Sequence, residues 1–402
     1  MQILQIKRYN EIAALMRRMK VDPYGIKIMV PKALTFLMRL DALSNVAANI
    51  LKQEMLSLGG DAAITKDAIT GKVKKTDCLL IGNLSQFRSL HSKLSFQPFG
   101  LAKLSQIISL GLSNYQRDNF TLELGRHKLK LRDNCPKIMG IINLTPDSFS
   151  GDGLYQTKGR RPKADDIIKY AQKIVAEGAD IIDLGGESSR PGAKALPIKE
   201  ELKRTIPVVK ILAKKIKVPI SIDTYKPEVA KQALDQGAVL VNDISGLRNP
   251  EMAKVIAGYK AGVIIMHMKG VPQSMQKNPR YTCLLEEITA YLDKAINKAV
   301  ASGIDRQKII IDPGIGFGKT AEHNLAVLKQ LKSLRILGRP ILAGVSRKSF
   351  IGKILNLPAD ERINGTLASC VIAAENGASI LRVHDVKKVK EALKIFRGIN
   401  RQ

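Results

Sequence analysis

The chain has 402 residues, 45% of them hydrophobic, and a net charge of +29 from 65 Lys and Arg against 36 Asp and Glu. That hydrophobic fraction excludes a disordered chain, and the length predicts an α/β barrel of about 250 residues plus a further segment. The charge raises nucleic-acid binding, but the basic residues are dispersed. The longest run is Lys158-Gly159-Arg160-Arg161-Pro162-Lys163, with no aromatic ladder for base stacking, and a field that concentrates small anionic substrates accounts for the charge equally well. Cys78, Cys135, Cys283 and Cys370 form no CxxC or zinc spacing, which suits reduced thiols. The N-terminus lacks a signal-peptide order and no apolar run reaches about 18 residues, so a soluble, cytoplasmic protein is expected.

Taken in chain order, residues 42–59 read as a strong amphipathic helix, 75–82 (KTDCLLIG) as one strand, and 83–94 and 101–112 as helices. This is a small α/β unit over residues 1–118 in which no catalytic constellation is found. FTLELGRHKLKL (120–131) alternates by two around Gly125-Arg126, a β-hairpin positioned to close the bottom of a barrel. From 137 onward short apolar runs alternate with amphipathic stretches. The predicted strands are 138–143, 179–184, 219–223, 238–243, 262–267, 308–313, 340–345 and 379–384, with helices such as 164–178, 226–237 and 284–303 between them. Eight uninterrupted units predict a closed parallel (β/α)₈ TIM barrel over 119–402.

Polar residues recur at the C-terminal ends of these strands: Asn143, Asp183, Asp223, Asn242, Asp243, His267, Asp312, Arg382 and His384. In such barrels the active site is built at that end. The Gly- and Ser-rich NLTPDSFSGDG (143–153) predicts a mobile loop, and GGESSRPGA (185–193) places Arg190 where a planar carboxylate or phosphate suits it. Arg382 and His384 alternate on the last strand and point to one side. DPGIGFGKT (312–320) is not a nucleotide-binding P-loop, because the glycine that motif requires is Pro313 here. Its glycines are expected to bring backbone close to a flat ligand beside Asp312. Asp243 is expected in a capping or strand-end role and His267 as a satisfied wall residue. Phe149 and Phe317 suit stacking on substrate or packing equally.

Together with SIDTYKPEVA (221–230), VNDISG (241–246), SRKSFIG (346–352) and RVHDV (382–386), these segments resemble the dihydropteroate synthase family over roughly 119–398. The resemblance implies condensation of 6-hydroxymethyl-7,8-dihydropterin diphosphate with 4-aminobenzoate, releasing pyrophosphate. It implies that Asp312, Asn242, Lys348 and Asp223 hold the pterin, that Arg382 and His384 take the diphosphate, and that Asn143 contacts a Mg²⁺ bound with it. Ser189, Arg190 and Ser349 match the aminobenzoate side, and Asp223, Lys348 and Arg382 are the catalytic candidates. A homodimer is expected from the family alone. Two other readings share the barrel: a methyltetrahydrofolate-dependent corrinoid methyltransferase, which needs no diphosphate clamp, and a non-catalytic pterin-binding homologue. A third makes residues 1–118 a nucleic-acid- or partner-binding module with an appended enzyme.

Overall fold

The computed structural model describes residues 1–6, 8–145, 164–188 and 195–400. The chain divides into two compact units, Met1–Ser113 and Asn114–Gln402. The first contains β1 (Thr35–Ser44), β2 (Asp61–Ile64) and β3 (Lys75–Asn83) in an antiparallel sheet of order β1-β3-β2. Its core gathers Leu51, Met55, Leu80, Phe87, Leu90, Leu94 and Leu101, mostly from three helices, Asn45–Ser57, Leu84–Leu94 and Leu101–Tyr115. Sequence periodicity shows only β3 of these strands. β1 is an edge strand with no fully buried residue, and β2 has four residues, so neither carries a clear apolar alternation. Residues 42–44 belong to β1; the helix starts at Asn45, where the Ser44 hydroxyl accepts from the Ala47 amide.

The second unit opens with the hairpin β4 (Asn119–Leu124) and β5 (His127–Arg132), which turns at Gly125-Arg126. Eight parallel strands follow: β6 (Lys137–Asn143), β7 (Ile181–Gly185), β8 (Ile220–Asp223), β9 (Leu240–Asp243), β10 (Gly262–Met266), β11 (Ile309–Asp312), β12 (Leu342–Ala343) and β13 (Ile380–Val383). They run in the order β11-β10-β9-β8-β7-β6-β13-β12, and a bridge from Ile311 to Ile341 joins the two ends. This is the (β/α)₈ barrel.

Strand alternation sorts its residues. Ile138, Ile182, Ile222, Val241, Ile265, Ile311 and Val383 face the surrounding helices. At the base, Met139, Ile181, Leu240, Ile264, Ile310, Leu342 and Ile380 meet Leu122, Leu124, Leu129 and Leu131 of the hairpin. The hairpin therefore plugs the base, each fully buried aliphatic side chain contributing about 1.5–3 kcal/mol. Among the described residues no helix is long and apolar enough to cross a membrane. All four cysteines are free thiols.

Candidate active site

Two residues beyond the apolar base layer, the same strands become polar. Asp183, Asn242, Asp312 and Arg382 follow Ile181, Leu240, Ile310 and Ile380 at inward positions. Arg382 links them: its Nε donates to Asp183 Oδ2 at 2.6 Å, and its Nη2 donates to Asp223 Oδ2 at 2.6 Å. Asn242 Nδ2 donates to the same Asp183 oxygen at 3.1 Å. Burial works against the guanidinium's charge, but the two carboxylates outweigh it and hold its pKa above the ordinary arginine value. Arg382 is thus the hub of an ion cluster, and among the described residues its Nη1 makes no hydrogen bond.

The remaining predicted residues surround this hub. Burial pushes the Asp223 carboxyl up to about 7, against Arg382 and with help from Asp183 and Glu201. Asp312 is also raised, chiefly by burial. One of its oxygens accepts from the Gly314 amide at 2.7 Å, and the other takes no hydrogen bond from the described residues. Lys348 lies with its ammonium 4.1 Å from the Phe317 ring centroid, and burial together with Arg382 lowers its pKa to about 8. Strand register sets Asn143 beside Gly185 and Gly185 beside Asp223. A Cβ at Gly185 would lie 3.6 Å from Asn143 Oδ1 and 3.7 Å from Asp223 Oδ2, so the glycine keeps the space between them open. His384 Nδ1 meets the Ser346 hydroxyl at 3.0 Å. Ser349 is exposed at the first position of the helix Ser349–Leu355. Ser189, Arg190 and Phe149 lie outside the described residues, as does most of the loop after β6.

The glycine-rich loop after β11 departs from its sequence reading, whereas His267 and Asp243 hold the wall and capping roles expected of them. The glycines of DPGIGFGKT accommodate the protein itself: a Cβ at Gly314 would fall 1.9 Å from the His267 carbonyl oxygen, and one at Gly316 2.9 Å from Lys348 Cδ. Lys319 folds inward, donating to the carbonyls of Gly314 and Phe317 and meeting His267 Nδ1 at 3.0 Å. Phe317 is 8% exposed and packs with Ile244, Met266, Met268 and Met275. His267 is a buried wall residue whose pKa burial drives down to about 3. Asp243 faces away from the hub and accepts from the Ser245 and Leu247 amides at 2.7 and 3.0 Å. Asp183, given no individual role from sequence, is the hub's most buried member. Its inward parity on β7, two residues beyond Ile181, was the available signal.

Comparison with known proteins agrees with this architecture. The profile of the pterin binding enzymes matches residues 139–384. The dihydropteroate synthase of Synechocystis is 48% identical over 260 residues, 64% of this chain and 88% of that protein. The Yersinia pestis dihydropteroate synthase, solved in complex with a sulfonamide drug, superimposes with a TM-score of 0.66 at 41% identity, covering 70% of this chain and 99% of that one. The Xanthomonas albilineans dihydropteroate synthase solved with 4-aminobenzoic acid gives a TM-score of 0.64 at 38% identity, covering 70% and 98%. An intact polar hub at the barrel mouth, together with relatives matched over nearly their whole length, shows that this chain belongs to the dihydropteroate synthase family.

Proposed function

We propose that the barrel mouth condenses 6-hydroxymethyl-7,8-dihydropterin diphosphate with 4-aminobenzoate, forming 7,8-dihydropteroate and pyrophosphate, with the division of labour below. The observation that carries it is the buried pair Asp312 and Asn242, with the half-buried Lys348, beside the Arg382–Asp183–Asp223 hub. The second Asp312 oxygen suits the amidine-like N–H edge of the pterin, and Asn242 offers its amide oxygen to the mixed edge. The Lys348 ammonium donates to no acceptor among the described residues, so its N–H groups are available to ring acceptors. Asp223 supports positive charge developing on the pterin methylene as the C–O bond to the diphosphate breaks. Arg382 Nη1 and His384 receive the diphosphate, and the neutral arylamine then attacks the methylene, the proton its nitrogen loses passing to water with no strong base needed. Ser189, Arg190 and Ser349 are assigned to the amine, where the same chemistry admits sulfonamides.

Among the described residues no group of three or more His, Cys, Asp or Glu side chains is placed to hold a metal ion. That fits a Mg²⁺ bound largely through substrate oxygens, with Asn143 as an amide ligand from the protein. When bound it would neutralise charge on the leaving pyrophosphate. A homodimer is proposed as well, supported by the exposed Ile354, Leu355, Ile372, Ile395 and Ile399 on the last three helices of the barrel. The working compartment is proposed to be the cytoplasm. Pyrophosphate release measured with Mg²⁺ and each substrate varied tests the reaction. Release should require both substrates, and release independent of 4-aminobenzoate would overturn the reading.

A further inference from the structure

Three residues beyond Asp223 stands a buried lysine that the proposed chemistry does not use. Lys226 is 9% exposed and precedes the helix Pro227–Asp235. Its ammonium donates to the Glu187 carboxylate, to Glu201 Oε2 at 2.6 Å and to the Leu196 carbonyl oxygen at 2.6 Å. An ammonium has three donors, so these three acceptors satisfy it completely. Two carboxylates share this one cation, so removing it would leave Glu201 buried with no cation beside it and Glu187 with only a neutral hydroxyl donor. The Tyr225 hydroxyl donates to Glu187 Oε1 at 2.9 Å, and Arg204 Nη1 donates to the Gly186 carbonyl at 3.2 Å. Glu187, Glu201, Tyr225 and Asp223 also line one small cavity.

The chain order of these partners is informative. Glu187 follows β7, whereas Leu196 and Glu201 stand at the start of the next helix, so Lys226 grips the chain on both sides of the second βα loop. Lys226 itself is anchored a few residues beyond β8, the strand that presents Asp223. Neither side of the loop can shift relative to that strand without breaking a charge-assisted hydrogen bond.

The geometry points to Lys226 as a positioning residue for the aromatic-amine substrate, locking both flanks of the second βα loop to the strand that carries Asp223. This inference rests on the proposed assignment of Ser189 and Arg190, in that loop, to the amine side. Of the residues proposed for the pterin, Asn242, Asp312 and Lys348 make no hydrogen bond with Lys226, and Asp223 is held independently by Arg382. Loss of the lysine therefore falls on the amine.

Steady-state kinetics of the full chain, with both substrates varied, test it. Lys226→Met should raise the KM for 4-aminobenzoate by about 10- to 100-fold while the KM for the pterin diphosphate stays within about threefold. Lys226→Arg, which keeps the cation, should recover most of that loss. Glu187→Gln is the milder variant, because it leaves Lys226 and Glu201 as a balanced pair, and it should raise the amine KM several-fold. In Lys226→Met/Arg190→Ala the amine KM should match that of Arg190→Ala alone within about twofold, since both changes act through one loop. If Arg190→Ala raises the amine KM while Lys226→Met and Glu187→Gln leave it unchanged, or raise both substrates' KM values equally, the inference is overturned. If Arg190→Ala itself leaves the amine KM unchanged, the assignment of the loop to the amine is what fails.

Discussion

The two ends of the barrel are built from the same strands by the same alternation, yet they do opposite things. At the base, seven inward residues and four hairpin leucines form an apolar layer, to which β8 adds the buried Ser221 at the equivalent inward position. Two residues further along, Asp183, Asn242, Asp312 and Arg382 occupy the next inward positions. There two carboxylates share one guanidinium, Asp223 is pushed up to about 7, and Lys348 is pushed down to about 8. Arg347, directly before Lys348, sits at φ 57, a conformation that side chains other than glycine rarely adopt. The base supplies stability that buried charge and backbone strain at the mouth do not. That separation lets active-site residues be chosen for chemistry rather than packing.

The sharpest way to break the comparison is to remove chemistry without touching the core. Lys348→Ala and Asp312→Ala should each lower kcat/KM by at least about 10²–10³ while the thermal midpoint stays close to that of the parent protein. Near-normal pyrophosphate release from either would refute the placement of the pterin. The converse change is made at the plug: Leu124→Ala or Leu131→Ala should cost about 2–5 kcal/mol in denaturant unfolding and leave the kcat of the folded protein unchanged. A large fall in kcat there would mean that the two ends are coupled.

Acidity distinguishes the ends in a graded way. Asp223 carries its charge above about 7 and Lys348 keeps its charge below about 8. If both charges are needed, kcat/KM for the pterin diphosphate falls as pH drops through about 7 and again as it rises through about 8. Lys348→Arg should carry the basic limb to higher pH, though with lower activity because the planar fork fits differently. A basic limb that does not move would exclude Lys348 as its source. Smaller still, Gly316→Ala should cost about 1–3 kcal/mol, because φ there is +85° and the new Cβ meets the Lys348 stem; its pterin KM should rise several-fold. Least of all, Asp243→Asn should change kcat/KM by less than about threefold, since Asp243 caps a turn outside the hub and its loss falls on stability.

All eight barrel strands and the hairpin were visible in the sequence, because parallel buried strands are apolar runs closed by polar residues. The edge strand β1 and the four-residue β2 were not, since neither has a buried face of sufficient length. At the site, the inward parity of Asp223, Asn242, Asp312 and Arg382 follows from period-two geometry. The inward turn of Lys319 onto His267, and the glycines that fit around the His267 carbonyl and the Lys348 stem, do not, because His267 and Lys348 lie on other loops.

What the sequence determined by itself was the alternation: which residues of each strand face in, and that the inward set changes from apolar to polar along the strand. The motif order determined the family. Only the tertiary structure decided which charges pair. Arg382 meets Asp183 and Asp223 across 199 and 159 residues of chain. Those contacts exist because β13 closes back beside β6, with β7 and β8 next in the sheet. The same closure buries Asp223 and Lys348, and burial decides their acidity, because desolvation depends on what surrounds a group in space rather than along the chain.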